Sequence, residues 1–301
     1  MLPWTAALAF ALTWTTGDLL AQELEPRAFS QVPVGLNFGL LSYGYSKGNV
    51  LFDQALPVED ANARLNSVTA IYVRAIDAFG LSGKIGVILP FAWGTWEGRL
   101  EGQDTSTSRT GFGDLRVQLA VNFIGAPAMA PREFATYSER TIVGAALQIV
   151  LPTGQYDPDK LINLGSNRWA FRPRIGVSHT VGRWTLEIYG DVWLHTDNTD
   201  FYGGSTLEQG PFWVVQGHVL YNFRRGLWLG LNAGYANGGQ TTVDGNDKDF
   251  QENTRLGATL ALPLGRRHGL KLVAISGIAT RLGADFDTIN LAYQYRWGGG
   301  L

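Results

Sequence analysis

Polarity alternates almost without error through one hairpin, residues 168–195. On the way out the even positions are Arg168, Ala170, Arg172, Arg174, Gly176 and Ser178, against Trp169, Phe171, Pro173, Ile175 and Val177. After a turn at Val181-Gly182-Arg183, the returning run sets Trp184, Leu186, Ile188, Val192 and Leu194 against Thr185, Glu187, Tyr189, Asp191 and His195. A period of two over this length is a pair of β-strands whose two faces meet different solvents. In a soluble sandwich the apolar face is the core. In a membrane barrel it faces lipid, and the polar face lines the interior.

The same alternation recurs at 34–45, 67–77, 84–96, 114–123, 140–151, 212–223, 227–236, 253–263, 270–281 and 287–297, which with the hairpin makes twelve strands. The segment 84–96 is sharp, with Ile85, Val87, Leu89, Phe91 and Trp93 on one face. So is 287–297, with Ile289, Leu291, Tyr293, Tyr295 and Trp297. The segment 67–77 is apolar on both faces, and is read here with Ile71 and Val73 outward and Tyr72 and Arg74 inward. Connection lengths separate barrel from sandwich. One set of turns, 79–83, 124–139, 181–183, 224–226 and 265–269, is mostly short. The other set, 46–66, 97–113, 152–167, 196–211 and 237–252, is long. Short periplasmic turns alternating with long extracellular loops are a property of outer-membrane barrels, as is an even strand number. Only the long 124–139 and the short 282–286 depart from it. The expected fold is all-β, a transmembrane antiparallel up-and-down barrel of about twelve strands.

Residues 1–21 read as a secretory signal cleaved after Ala21, since the apolar run 6–14 is too short to span a bilayer. Residues 22–301 then form one barrel domain, with no linker or break in pattern. Cysteine is absent, so this exported chain has no disulfides. A formal net charge of −2 carries no nucleic-acid footprint. Thirty-eight glycines, 12% aromatic residues and a mean hydropathy near zero accord with apolarity hidden in alternation. Tyr293, Tyr295 and Trp297 resemble the aromatic C-terminal strand read by the outer-membrane assembly machinery, although Gly298-Gly299-Gly300-Leu301 follows. The other expected partners are outer-membrane lipid, lipopolysaccharide and a small hydrophobic solute, at the outer membrane of a Gram-negative cell.

The segment Leu151-Pro152-Thr153-Gly154-Gln155-Tyr156-Asp157-Pro158-Asp159-Lys160-Leu161-Ile162-Asn163-Leu164-Gly165-Ser166-Asn167-Arg168-Trp169 resembles the signature of a Gram-negative outer-membrane family named for the meta-pathway of phenol degradation. Tyr43-Gly44-Tyr45, Gly111-Phe112-Gly113-Asp114, Thr196-Asp197-Asn198, Arg255-Leu256-Gly257-Ala258-Thr259 and Tyr293-Gln294-Tyr295-Arg296-Trp297 extend the resemblance over most of the mature chain. It implies an outer-membrane barrel that passes aromatic or other hydrophobic compounds. It assigns no functional residues.

The lumen is where such a barrel acts. A twelve-stranded barrel lies between eight strands, which side chains nearly fill, and sixteen, which leave an aqueous channel. Inward positions hold Arg74, Lys84, Arg116, Arg168, Arg172, Arg174, Arg255, Lys271 and Arg296, against few acids, chiefly Glu187 and Asp191, so the lumen reads as net positive. His218 also faces inward. The hairpin register brings Glu187 and Asp191 across from Arg172 and Arg174, as ion pairs bracing the wall. The remaining inward arginines suit a path for anionic solutes such as aromatic carboxylates. The extracellular motif, Pro152, Gly154, Tyr156, Asp157, Asn163, Gly165 and Asn167, carries turn chemistry. It either folds inward as a plug or mouth, or uses Asn163 and Asn167 to bind its own backbone. Loop carboxylates Asp157, Asp159, Asp197, Asp200, Asp244, Asp247 and Asp249 match no calcium-loop spacing. No cofactor or metal site is read.

Two other classes compete with a channel for small hydrophobic or aromatic compounds. A barrel hydrolase needs a base near a nucleophile. His195 with Asp191 or Asp197 is the best candidate, but no serine motif accompanies it. A closed structural or adhesive barrel would fill its lumen with the Arg and acid network.

Overall fold

The computed structural model describes residues 24–51, 58–100, 102–134, 136–137, 140–160, 162–247, 250–281 and 283–299. The expected signal segment, residues 1–21, lies outside them, as does Asp249.

Twelve staves close an antiparallel barrel. They are β1 (Leu36–Leu51), β2 (Val58–Ala78), β3 (Leu81–Leu100), β4 (Gln103–Phe112) with β5 (Arg116–Ile124), β6 (Thr141–Val150), β7 (Ala170–Val181) and β8 (Trp184–His195), then β11, β12, β15, β16 and β17. Between β8 and β11 lie the short β9 (Asn198–Phe201) and β10 (Ser205–Gln209). The later staves are β11 (Phe212–Arg224), β12 (Leu227–Gly238), β15 (Gln251–Leu264), β16 (His268–Thr280) and β17 (Gly283–Gly298). Between β12 and β15 lie β13 (Thr241–Val243) and β14 (Asn246–Asp247). Each stave pairs with its sequence neighbours, and β1 pairs with β17 from Leu36 opposite Gly298 to Leu51 opposite Gly283. That last pairing removes both free edges, the condition for a sheet in lipid.

The outward face is apolar, as the alternation requires. Ile175, Ile188, Trp213, Leu231, Leu256 and Ile289 are each about half exposed or more. Facing positions across each ladder share a side, so Leu119, Leu147, Ile175 and Ile188 belong to one continuous lipid-facing band. At the periplasmic rim Tyr295 stacks on Trp297 at 5.6 Å, and Tyr72 lies 6.0 Å from Trp297, forming an interfacial girdle.

Three expectations need correction here. Tyr72 and Arg74 face outward, because β2 pairs Tyr72 with Gly39 and Val87, and Arg74 with Asn37 and Ile85, all on the lipid side. With both faces of the segment apolar, its own pattern left the choice to its neighbours. Arg74 sits at the rim, where a long side chain reaches the interface; the Tyr72 hydroxyl donates to Asn37 Oδ1 at 2.7 Å. The connection 97–113 is a loop only at its tip, because β3 and β4 stay paired up to Leu100 opposite Gln103. Likewise β1 and β2 stay paired through Asn49 and Asn62. The β3–β4 extension carries polar residues on both faces and so loses the alternation that marks a strand in lipid, whereas the β1–β2 extension turns Val50, Ala63 and Leu65 into a buried cluster with Ala284 and Phe286.

The β4–β5 stave is broken at Gly113-Asp114-Leu115. Below the break β5 lies between β3 and β6; above it β4 pairs with β3 alone. The loop 152–167 covers the far side of the break. Gln155 N donates to Phe112 O at 2.8 Å, and Leu115 N to Thr153 Oγ1 at 3.0 Å. A second small sheet, in the order β14-β13-β10-β9, stands over the extracellular mouth around Phe201, Leu207 and Val243. The long periplasmic connection carries one helical turn, Pro131–Phe134, and returns toward the axis. Met129 O accepts from Val34 N at 2.9 Å.

Candidate functional site in the barrel lumen

Residues 24–35 have no period-two pattern and form no strand. They run up inside the barrel from the periplasmic rim, where Gly35 N donates to Ala75 O at 3.0 Å and Gln31 Nε2 to Pro127 O at 2.5 Å. Lys84 Nζ holds the carbonyls of Ala28 and Ser30, at 2.6 and 3.1 Å. Asn122 Nδ2 holds that of Phe29, at 2.8 Å. These lumen side chains do what a neighbouring strand does elsewhere: they satisfy backbone that water cannot reach.

Phe29 is the apolar anchor. It is 1% exposed and packs with Ala126, Ile142 and Tyr189, whose ring it meets edge-on at 5.2 Å. The wall makes room with glycine. A Cβ on Gly144 would collide with the Phe29 ring, and one on Gly176 would lie 2.6 Å from its Cε2. The tip, Leu24, rests on the same device, since a Cβ at Gly234 or Gly257 would stand 2.8 or 3.0 Å from its methyls.

Between anchor and tip lies a charge cluster. Glu25 Oε1 takes Arg172 Nη1 at 2.7 Å, and Oε2 takes Arg174 Nη1 at 2.7 Å. Behind the two guanidiniums Asp191 accepts Arg172 Nη2 at 2.9 Å, Arg174 Nη2 at 3.1 Å, and Arg174 Nε. Arg172 also lies 5.0 Å over the Trp193 ring, and Arg174 5.7 Å from that of Tyr189. Two cations thus face two anions, and the positive excess expected at this level is cancelled by a residue that the strand pattern could not place.

The other sequence-selected residues distribute as follows. Asp191 pairs with Arg172 and Arg174 as expected, but Glu187 does not, because the register puts it opposite Ser178. It accepts Ser178 Oγ at 3.1 Å and Arg27 N at 2.8 Å, so it serves the N-terminal segment. His218 Nδ1 shares a hydrogen bond with Asn232 Oδ1 at 2.9 Å, and Asn232 in turn donates to Thr259 at 3.0 Å, a polar rung within the wall. Arg255 points inward and donates to Ala284 O at 2.6 Å. Lys271 faces inward opposite Ala261 and Ala292. Arg296 leaves the path, since its Nε donates at 2.6 Å to Arg266 O in a periplasmic turn. Arg116 lies buried opposite Val150, and Arg168 is buried under the cap and donates to Gln209 Oε1. His195 meets neither Asp191 nor Asp197; its ring stacks on Trp193 at 6.3 Å and its Nδ1 is buried with no partner.

The loop motif folds on itself. Asn163 Oδ1 accepts Asp157 N at 2.9 Å, while its Nδ2 donates to the carbonyls of Asp157 and Lys160. Asn167 takes a positive φ of 52° and donates to Asn198 Oδ1. Tyr156 reaches Asn198 and Asp200 O, and burial raises its hydroxyl pKa. Pro152 opens the turn, and Gly154 and Gly165 cross in backbone contact, where a Cβ on either would strike the other. Asp157 is held below the usual carboxylate range by Lys160 and then by the Asp159 backbone. Among the described residues the loop carboxylates gather into no cation-binding group.

A closed antiparallel barrel with a lipid-facing apolar band, an aromatic girdle and a polar lumen is an outer-membrane β-barrel. Residues 45–292 match the family described as "Putative MetA-pathway of phenol degradation", and the chain belongs to it. Among solved structures it is similar to the COG4313 outer membrane channel from Pseudomonas putida F1, with 22% identity, a TM-score of 0.78, and coverage of 91% of this chain and all of that one. It is also similar to the beta domain of the Bordetella autotransporter BrkA, with 10% identity, a TM-score of 0.52, and coverage of 86% and 98%. The transport unit of the autotransporter AIDA-I from Escherichia coli gives 8%, 0.51, and 94% and 96%. These likenesses concern the fold. No curated protein matches the sequence.

Proposed function

We propose that the protein is an outer-membrane channel that lets small hydrophobic or aromatic compounds, anionic ones included, diffuse into the cell. One observation carries this reading. The bore is obstructed by a peptide, residues 24–35, which is no part of the barrel wall, continues into β1 and is held by lumen side chains such as Lys84, Asn122, Arg172 and Arg174. Eight-stranded barrels close their bore with wall side chains. Here the wall instead presents glycines at positions 144, 176, 234 and 257 to receive the peptide. An obstruction that can leave is a gate. The solved structure of highest similarity reported above bears the name of an outer membrane channel, which agrees with this reading. In the catalytic alternative, His195 stacks on Trp193 and its buried Nδ1 makes no hydrogen bond to a carboxylate or hydroxyl.

The test is conductance in planar bilayers together with toluene uptake by proteoliposomes, comparing the mature chain with one lacking residues 22–33. Small, intermittent conductance in the first and steady conductance in the second is the expected result. A folded, truncated barrel that passes neither ions nor toluene would overturn the proposal.

A further inference from the structure

The two carboxylates in the lumen cluster are not equivalent. Asp191 belongs to the wall, its side chain is 0% exposed, and it fixes both guanidiniums from behind. Glu25 belongs to the peptide and its side chain is 27% exposed. It fills the open side, where Arg172 Nη1 and Arg174 Nη1 each serve one of its oxygens at 2.7 Å and Arg174 Nη2 adds a third contact at 3.2 Å. This is bidentate recognition of a carboxylate by a prearranged arginine pair. If Glu25 withdraws, two cations remain against one wall anion, and the recess has room and charge for one monoanion.

The rung on the extracellular side of this pair is apolar and aromatic. Val150, Ala170, Trp193, Phe212, Val214 and Ala236 form one buried cluster. Register sets Val214 opposite Asp191, and Phe212 opposite Trp193. Trp193 lies under the Arg172 guanidinium and is 2% exposed, and its indole Nε1 has no hydrogen-bond partner. Glu25 reaches the arginine pair along the segment that rises from the periplasmic side.

We infer that Arg172 and Arg174 form a binding site for an aromatic carboxylate, that Glu25 occupies it as an internal stand-in, and that a carboxylate arriving from the mouth displaces the peptide. The carboxylate takes the place of Glu25. The ring lies against Trp193, Phe212 and Val214, and the indole N–H becomes available to it. This inference rests on the channel reading and adds what opens the channel: solute and gate compete for the same two arginines. It also accounts for a gate held by charge at the tip and by an aromatic ring at its base, each of which an aromatic acid can replace.

The experiment is equilibrium binding of benzoate, and of benzamide as its neutral isostere, to refolded mature protein by titration calorimetry. Wild type, Glu25→Gln and Arg174→Gln are compared, with folding checked by heat-modifiable gel mobility. Glu25→Gln lies outside the strands, so it leaves the barrel intact. Removing the competitor is expected to tighten benzoate binding by roughly tenfold or more, because a ligand that must displace an occupant binds only to the fraction already open. Benzamide binding stays unchanged, and Arg174→Gln abolishes the preference for benzoate. Equal benzoate affinity in wild type and Glu25→Gln, or equal binding of benzoate and benzamide in Glu25→Gln, would overturn the inference. Toluene uptake on the same preparations and on the barrel lacking residues 22–33 separates the two readings. If uptake persists while the benzoate result fails, only the competition is wrong; if the truncated barrel takes up no toluene, the channel itself is wrong.

Discussion

Ser166 donates twice to the Asp114 carboxylate, from its backbone nitrogen at 2.8 Å and from its hydroxyl at 2.6 Å, while the other carboxylate oxygen accepts Gly154 N, also at 2.8 Å. One buried acid at the break of the β4–β5 stave thereby ties down both ends of the loop that covers it. Replacing Asp114 with Ala leaves those donors without their acceptor in a site from which water is excluded. The expected cost is about 2–4 kcal/mol, the range for losing a buried charged acceptor with several partners. Urea unfolding of the vesicle-bound protein measures it, and a new protease cut within 152–167 locates it. An unchanged midpoint with an uncut loop would count against the role.

Phe29 fastens the peptide that fills the lumen. Phe29→Ala removes a fully buried ring from a pocket whose glycine walls cannot close over the gap. Docking of the segment should weaken by about 3–5 kcal/mol, as for other buried Phe truncations. The barrel is a separate structure, so its own unfolding should barely move. The variant should show higher open probability in a bilayer and trypsin cleavage after Arg27, whose backbone N–H Glu187 now holds. Wild-type gating with full protection would argue that other contacts suffice.

Lipid-facing positions should be sensitive to charge according to depth. Leu231 is 64% exposed and lies between Val219 and Ala258 in mid-stave, whereas Leu264 ends β15 opposite His268 at the rim. Leu231→Arg is expected to cost about 2–4 kcal/mol and Leu264→Arg about 0–1. Equal penalties in urea titrations would mean that the two do not differ in depth.

The extracellular cap should loosen in acid. Asp244 Oδ1 accepts Thr206 N at 2.7 Å, and that backbone bond, with the Ser205 hydroxyl, depresses its pKa. Asp157 is likewise depressed, chiefly by its bond with Lys160. A carboxyl with a lowered folded pKa gives stability that is complete above its ordinary value, about 4, and disappears as the pH falls through the lowered one. Amide exchange in β10 and β13 should therefore be constant from pH 7 to about 5, after correction for intrinsic rates, and quicken below about 4. Asp244→Asn should abolish most of that dependence in β10, and persistence of it would assign the effect elsewhere.

What was legible in the sequence follows from what alternation reports. A strand between lipid and a polar lumen sorts its side chains residue by residue, so the twelve staves, their lipid faces and the Arg172–Arg174–Asp191 cluster could be read locally. The same signal fades where both faces see one environment. Hence the water-bathed ends of β3 and β4 read as a loop, and β2, apolar on both sides, had Tyr72 and Arg74 reversed until pairing with β1 and β3 fixed them. Glu187 was on the correct face but with the wrong partner, since face is a property of one strand and partnership requires register.

The sequence by itself determined a closed twelve-stave barrel for lipid and the inward faces of its sharply alternating staves, because both follow from period-two solvation. Only the tertiary structure decided what fills the bore. Glu25 and Arg172 are 147 residues apart, and Phe29 meets glycines from two staves. No local pattern encodes a contact at that range. The trace it leaves is four inward glycines at 144, 176, 234 and 257, whose missing side chains only the folded barrel brings around one peptide.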